Sequence, residues 1–134
     1  MKIAITSTGP GLDSIVDPRF GRCQYLIYAD PVTLQFEAVE NPGGMAGGGA
    51  GITAAQAIAA KGVEAVLTGN CGPNAYRVLF TAGIKVITGV AGKVRDVIQD
   101  YKDGKYVAST QPNVPGHFGM GGGPGRGRGM GWRQ

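Results

Sequence analysis

Between residues 52 and 101 helix-forming stretches alternate with very short apolar runs, and a chain that alternates in this way has few folds open to it. The stretch 52–61 is rich in alanine with Gly62 placed to cap it, and Ala65, Val66 and Leu67 follow as a short apolar strand. Pro73 suits the first turn of a second helix, whose Ala75, Val78, Leu79 and Ala82 occupy the i, i+3, i+4 and i+7 positions of one buried face before Gly83 ends it. Residues 85–88 read as another strand, and Val94, Val97, Ile98 and Tyr101 as the apolar stripe of a last helix ahead of the Asp103-Gly104 turn. Strands joined through helices run parallel with right-handed crossovers, so this half predicts a parallel sheet with helices packed on it.

The first half has a different rhythm. Residues 2–6 alternate Ile3 and Ile5 with smaller groups, and Tyr25, Leu26, Ile27, Tyr28 and Ala29 are a run of strand formers. Asp30-Pro31-Val32-Thr33 supplies a tight turn, after which 34–40 resumes an extended pattern. The expectation is an α/β fold of order βββαβαβα: a five-stranded mixed sheet whose second strand alone runs against the others. Its loops 9–22, 43–51, 68–72 and 89–92 then gather at one edge with Cys23 and Cys71, and in open α/β sheets that edge is where ligands bind.

A length of 134 residues with 43% apolar content suits a single core, read as a domain over 1–110 with a glycine-rich tail over 111–134. From Gly116 onward nine of nineteen residues are glycine, too little apolar material to offset the entropy of ordering it, so a mobile tail is expected. The six glycines within 43–51 read as a second flexible segment, inside the domain. No run of apolar residues is long enough for a membrane helix and the N-terminus does not resemble a signal peptide, which makes the cytoplasm the expected compartment and a membrane no partner. Two cysteines are too few for a disulfide scaffold. Of the thirteen basic residues Arg126, Arg128 and Arg133 lie in the tail, leaving ten against nine acidic ones in the body, a balance that argues against nucleic acid as a partner.

Several segments resemble the family of small proteins related to dinitrogenase iron-molybdenum cofactor biosynthesis: Arg19-Phe20-Gly21-Arg22, Glu40-Asn41-Pro42, Gly72-Pro73-Asn74-Ala75 and Ala82-Gly83-Ile84-Lys85-Val86, in that order across about residues 1–107. The resemblance implies a ribonuclease H-like fold and the binding or carriage of a metal-sulfur cluster of iron, with molybdenum or copper as further candidates. It implies a binding set of Arg19, Phe20, Gly21, Arg22, Gly72 and Asn74, and cluster-donor or acceptor proteins as partners. Where carriers of the family often have histidine just before Phe-Gly, this chain has Arg19, which suits an anionic cluster by charge. The radical-enzyme domain with a three-cysteine motif found in cluster-assembling relatives is missing, so the expectation is a carrier, not an enzyme.

The residues themselves offer further candidates. Cys71 lies in Gly69-Asn70-Cys71-Gly72-Pro73, at a helix start whose macrodipole favours a thiolate and hence a metal ligand, with a small buried thiol as the plain alternative. Cys23, at the start of a strand, has the same two readings. His117, Met45, Met120 and Met130 fall in glycine-rich stretches and have donor atoms for a soft metal ion, His117 being the more versatile. Arg19 and Arg22 suit an anionic group, or an ordinary ion pair with Asp13 or Asp17. The glycines of 43–51 lack the Gly-Lys-Ser/Thr ending of a phosphate-binding loop. Two rival functions stay open: a cysteine-dependent enzyme, for which no partnered base stands near Cys71, and an adaptor acting through Arg126-Gly127-Arg128-Gly129.

Overall fold

The computed structural model describes residues 2–45, 49–109 and 111–112. The tail from 113 onward, with His117, Met120, Met130 and the Arg-Gly repeats, lies outside the described residues, as does the side chain of Met45. The strands are β1 (Ile3–Ser7), β2 (Tyr25–Ala29), β3 (Phe36–Glu40), β4 (Ala65–Leu67) and β5 (Lys85–Ile87), and the helices α1 (Ala50–Ala60), α2 (Pro73–Thr81) and α3 (Val94–Lys102). They form one sheet in the order β3-β2-β1-β4-β5. β2 runs antiparallel to both neighbours while β1, β4 and β5 are parallel, which is the βββαβαβα arrangement expected from the sequence.

Side-chain alternation along the strands sorts the core into two layers. Ala4, Leu26, Tyr28, Val66 and Val86 face the layer of α1 and α2, where Ala54, Ala55, Ile58, Ala75, Tyr76 and Leu79 are buried. Ile3, Ile5, Ile27, Ala65, Leu67 and Ile87 face the layer of α3, which buries Val94, Val97 and Ile98. The central strands are covered on both faces and therefore read as unbroken apolar runs.

Two details differ from the sequence expectation. On α2, Ala75 and Leu79 are buried as read, but Tyr76 joins them and Ala82 is exposed, because the helix ends at Thr81 and Ala82 is already its C-cap. The glycine stretch is not one flexible loop: Pro42–Met45 forms a 3-10 turn, and α1 begins at Ala50 with Gly51 inside its first turn. Gly49, the N-cap, has a φ of 73°, which glycine adopts without the cost a side chain would incur. Other glycines serve close packing. A Cβ at Gly21 would stand 2.6 Å from Gly51 N, and one at Gly43 would stand 2.4 Å from Ala50 O, so backbone meets backbone around the start of α1.

Among the described residues no helix is long and apolar enough to cross a membrane.

Candidate functional site

The loops at the carboxyl ends of the parallel strands are tied to one another. Asn70 N donates to Pro18 O at 2.8 Å, Gly89 N to Gly69 O at 2.8 Å, and Val16 N to Gly92 O at 2.8 Å. Below them Thr6 Oγ1 bonds Asp17 O at 2.7 Å and the Thr68 hydroxyl at 2.9 Å, satisfying polar groups that the sheet would otherwise bury unpaired.

The three helix starts at this edge are not alike. At α3 the first N–H groups are taken: Val94 N donates to Ser14 O and Arg95 N to Leu12 O, both at 2.8 Å. At α1 and α2 no side chain caps the helix, and intrahelical bonding begins only with Thr53 N to Gly49 O and Tyr76 N to Gly72 O, both at 3.0 Å. These two starts line one cleft of about 370 Å³, with Gly49, Ala50, Gly51 and Ile52 from one and Gly72, Pro73, Asn74 and Ala75 from the other. Pro18, Arg19, Phe20, Gly21 and Arg22 form a third wall, and Asn70 completes the lining. Among the described residues no acidic one lines it. Two helix N-termini add partial positive charge to that of the arginines, so the cleft attracts anions.

All six residues of the sequence-derived binding set, Arg19, Phe20, Gly21, Arg22, Gly72 and Asn74, line this one cleft. Arg19 also forms the ion pair that the sequence left as its alternative. Its Nε donates to Asp17 Oδ1 and its Nη2 to Oδ2, each at 3.1 Å, while its backbone N–H reaches Oδ1 at 3.0 Å. Asp17 is buried and Arg19 is 61% exposed in its side chain, so the guanidinium covers a carboxylate from the solvent side, and this bond raises its own pKa. Arg22, on the other side of the Phe20-Gly21 pair, is exposed and adds a second guanidinium to the same wall.

The cysteines stand apart from the lining. Cys71 lies between two cleft residues, yet its thiol is turned into the α1/α2 core with Cys23, Phe20 and Ala75. Burial pushes the Cys71 thiol up to about 12, against the lowering expected from the helix dipole. Cys23 is likewise pushed up to about 12, by burial first and the nearby Asp17 charge second. Its sulfur accepts from Asn41 Nδ2 at 3.5 Å. Asn41 is a residue whose reach sequence reading missed, though an asparagine before a proline at a strand end is a turn-forming signal. Among the described residues there is no group of three or more His, Cys, Asp or Glu able to hold a metal ion.

Fold and cleft define an α/β protein with an anion-attracting site at the carboxyl edge of its sheet. The chain belongs to the dinitrogenase iron-molybdenum cofactor family, whose model matches residues 1–104. It is similar to the apo form of the orange protein of Desulfovibrio gigas, at 43% identity and a TM-score of 0.80, over 84% of this chain and 95% of that one. A Thermotoga protein described as NifB-like superposes with a TM-score of 0.68 at 34% identity, over 80% of this chain and 91% of its own. An uncharacterized protein of Methanocaldococcus jannaschii is 32% identical over 108 residues, covering 78% of this chain and 88% of the relative.

Proposed function

We propose that this protein is a non-catalytic cytoplasmic carrier of a preassembled, anionic metal-sulfur cluster, received from a donor protein and passed to an acceptor. The observation that carries this reading is the convergence of Arg19, Arg22 and two helix N-termini without side-chain caps on a cleft that, among the described residues, no carboxylate lines. Its volume of about 370 Å³ lies within the usual range of small-ligand sites, roughly 300 to 1,000 Å³. Membership of a family named for an iron-molybdenum cofactor makes iron and molybdenum the leading metals, with copper as a further candidate.

The donor set decides how such a cargo is held. A bare metal ion needs several side-chain ligands, and the described residues do not group them, which favours a cargo that brings its own sulfide ligands. Backbone N–H groups at Gly51, Ile52, Asn74 and Ala75 suit hydrogen bonding to sulfides, and Phe20 offers an apolar wall. Burial raises both thiols and both side chains belong to the α1/α2 core cluster, so this reading assigns Cys71 and Cys23 to the core and gives the cluster no thiolate ligand from them. Release then requires no metal-thiolate bond to break.

Anaerobic titration with tetrathiomolybdate, a coloured molybdenum-sulfide anion, tests the reading. Stoichiometric binding is expected, weakened more than about tenfold by Arg22→Glu, roughly 1.4 kcal/mol, and changed less than about threefold by Cys71→Ser. Absence of binding, or binding abolished by Cys71→Ser and indifferent to Arg22→Glu, overturns it.

A further inference from the structure

We infer that Asn41 is the positioning residue of the cleft, its carboxamide setting where the start of α1 stands relative to the 19–22 loop. The inference rests on the reading of the cleft as a cargo site, and concerns how that site is shaped.

Asn41 follows β3 directly and is 5% exposed. Its Nδ2 donates to Gly21 O at 3.0 Å and to Cys23 O at 2.9 Å, while its Oδ1 accepts from Gly43 N at 2.9 Å. Its backbone N–H is fixed in turn on Gln24 O at 3.0 Å. One buried side chain thus joins the loop carrying Arg22 to the Pro42–Met45 turn that leads towards α1.

Two of these three side-chain bonds end on a glycine that touches the first turn of α1. Gly21 packs so closely that a Cβ there would lie 2.6 Å from Gly51 N, and Gly43 so closely that one would lie 2.4 Å from Ala50 O. Any loosening of the clasp at Gly21 or Gly43 is passed directly to Ala50 and Gly51, which line the cleft. The start of α2 is held by other means, the bond from Asn70 N to Pro18 O and the short bridge between Arg19 and Asn70. Asn41 therefore acts on one of the two helix starts and spares the other.

Only a carboxamide of this length meets the demand. It offers two N–H donors to two carbonyls and one acceptor to an N–H, whereas aspartate has no donor and would set a buried charge against both carbonyl oxygens. Serine has a single donor, and glutamine adds a methylene that a site 5% exposed has no room for.

The full-length protein and its Asn41→Asp variant are compared by amide hydrogen exchange and by tetrathiomolybdate titration, with affinity referred to the folded fraction. Exchange at residues 53–55, the first amides of α1 bonded within the helix, is expected to accelerate at least tenfold while residues 76–78 of α2 change less than twofold, and affinity is expected to fall at least tenfold. A role confined to stability would lower the melting temperature and leave the affinity of folded molecules within twofold, and that result overturns the inference. If the parent protein binds no tetrathiomolybdate, the carrier reading fails on its own account, and unchanged exchange at 53–55 then overturns the positioning role separately. Should Asn41→Asp not fold, Gly21→Ala, which pushes on Gly51 from the same side, is read in the same two measurements with the same expected changes.

Discussion

Arg19 and Arg22 flank the same Phe-Gly pair in one wall of the cleft. Arg19 is committed to the buried Asp17, the ordinary ion pair that local sequence offers, and this was visible in the spacing alone. The fate of the cysteines was not. Whether a loop residue such as Cys71 faces the cleft or the core depends on backbone angles that no periodicity reports, and a helix dipole favours a thiolate only where the sulfur keeps some solvent. Asn41 was legible as part of a turn, but its bonds to Gly21 and Cys23 span some twenty positions and depend on the tertiary fold. Buried thiols also set a pH dependence. Both have folded pKa values of about 12, above the value near 9 of an exposed thiol, so the native state holds these protons more tightly than the unfolded one. The stability this gives is complete below about pH 9 and is lost as pH rises towards 12. Urea denaturation at pH 8 and pH 10.5 is expected to show lower stability at the higher pH, with a smaller drop in a Cys23→Ala/Cys71→Ala variant. An equal drop in both proteins would place the effect elsewhere, for instance at Tyr28, which burial also pushes up to about 12.

At the scale of elements, helices and strands were recognised by their apolar spacing, and the ends were where reading and structure parted. Glycine is a poor helix former, so the start of α1 was read as loop; the structure puts Gly51 inside the helix because Gly21 must pack against it. The face of α2 shifted by a residue because Tyr76 buries its ring while its hydroxyl donates to Ser109 O at 3.0 Å, a contact made by the returning C-terminal segment. What distinguishes the helices functionally is how they begin: α3 is capped by loop carbonyls, whereas α1 and α2 open on the cleft. Packing and binding should then separate by mutation. Leu79, fully buried on α2, anchors the core without lining the cleft, and Leu79→Ala is expected to cost about 2 to 5 kcal/mol in denaturation. Tetrathiomolybdate affinity measured on the folded fraction should stay within about threefold, and a tenfold loss would mean that the cleft does not hold its shape independently of this contact.

For the molecule as a whole, connectivity carried most of the information. A meander followed by two strand-helix crossovers sets which strand runs against the others and gathers the loops at one edge, and the observed sheet, β3-β2-β1-β4-β5, keeps both. The sequence did not say which face α3 covers, because no strand follows it among the described residues to define a crossover; α1 and α2 share one face, as two right-handed crossovers in the same direction require, and α3 takes the other. That division places the two uncapped helix starts side by side and so creates the cleft. The central claim is that the cleft holds a cluster by charge and backbone dipoles, without cysteine ligands. Elemental analysis for iron, molybdenum, copper and sulfide, on protein purified without oxygen from its native cells alongside Arg22→Glu and Cys71→Ser variants, tests it most directly. The account predicts stoichiometric metal together with sulfide, retained in Cys71→Ser and depleted in Arg22→Glu; metal lost in Cys71→Ser but kept in Arg22→Glu, or a protein free of metal and sulfide, would contradict it.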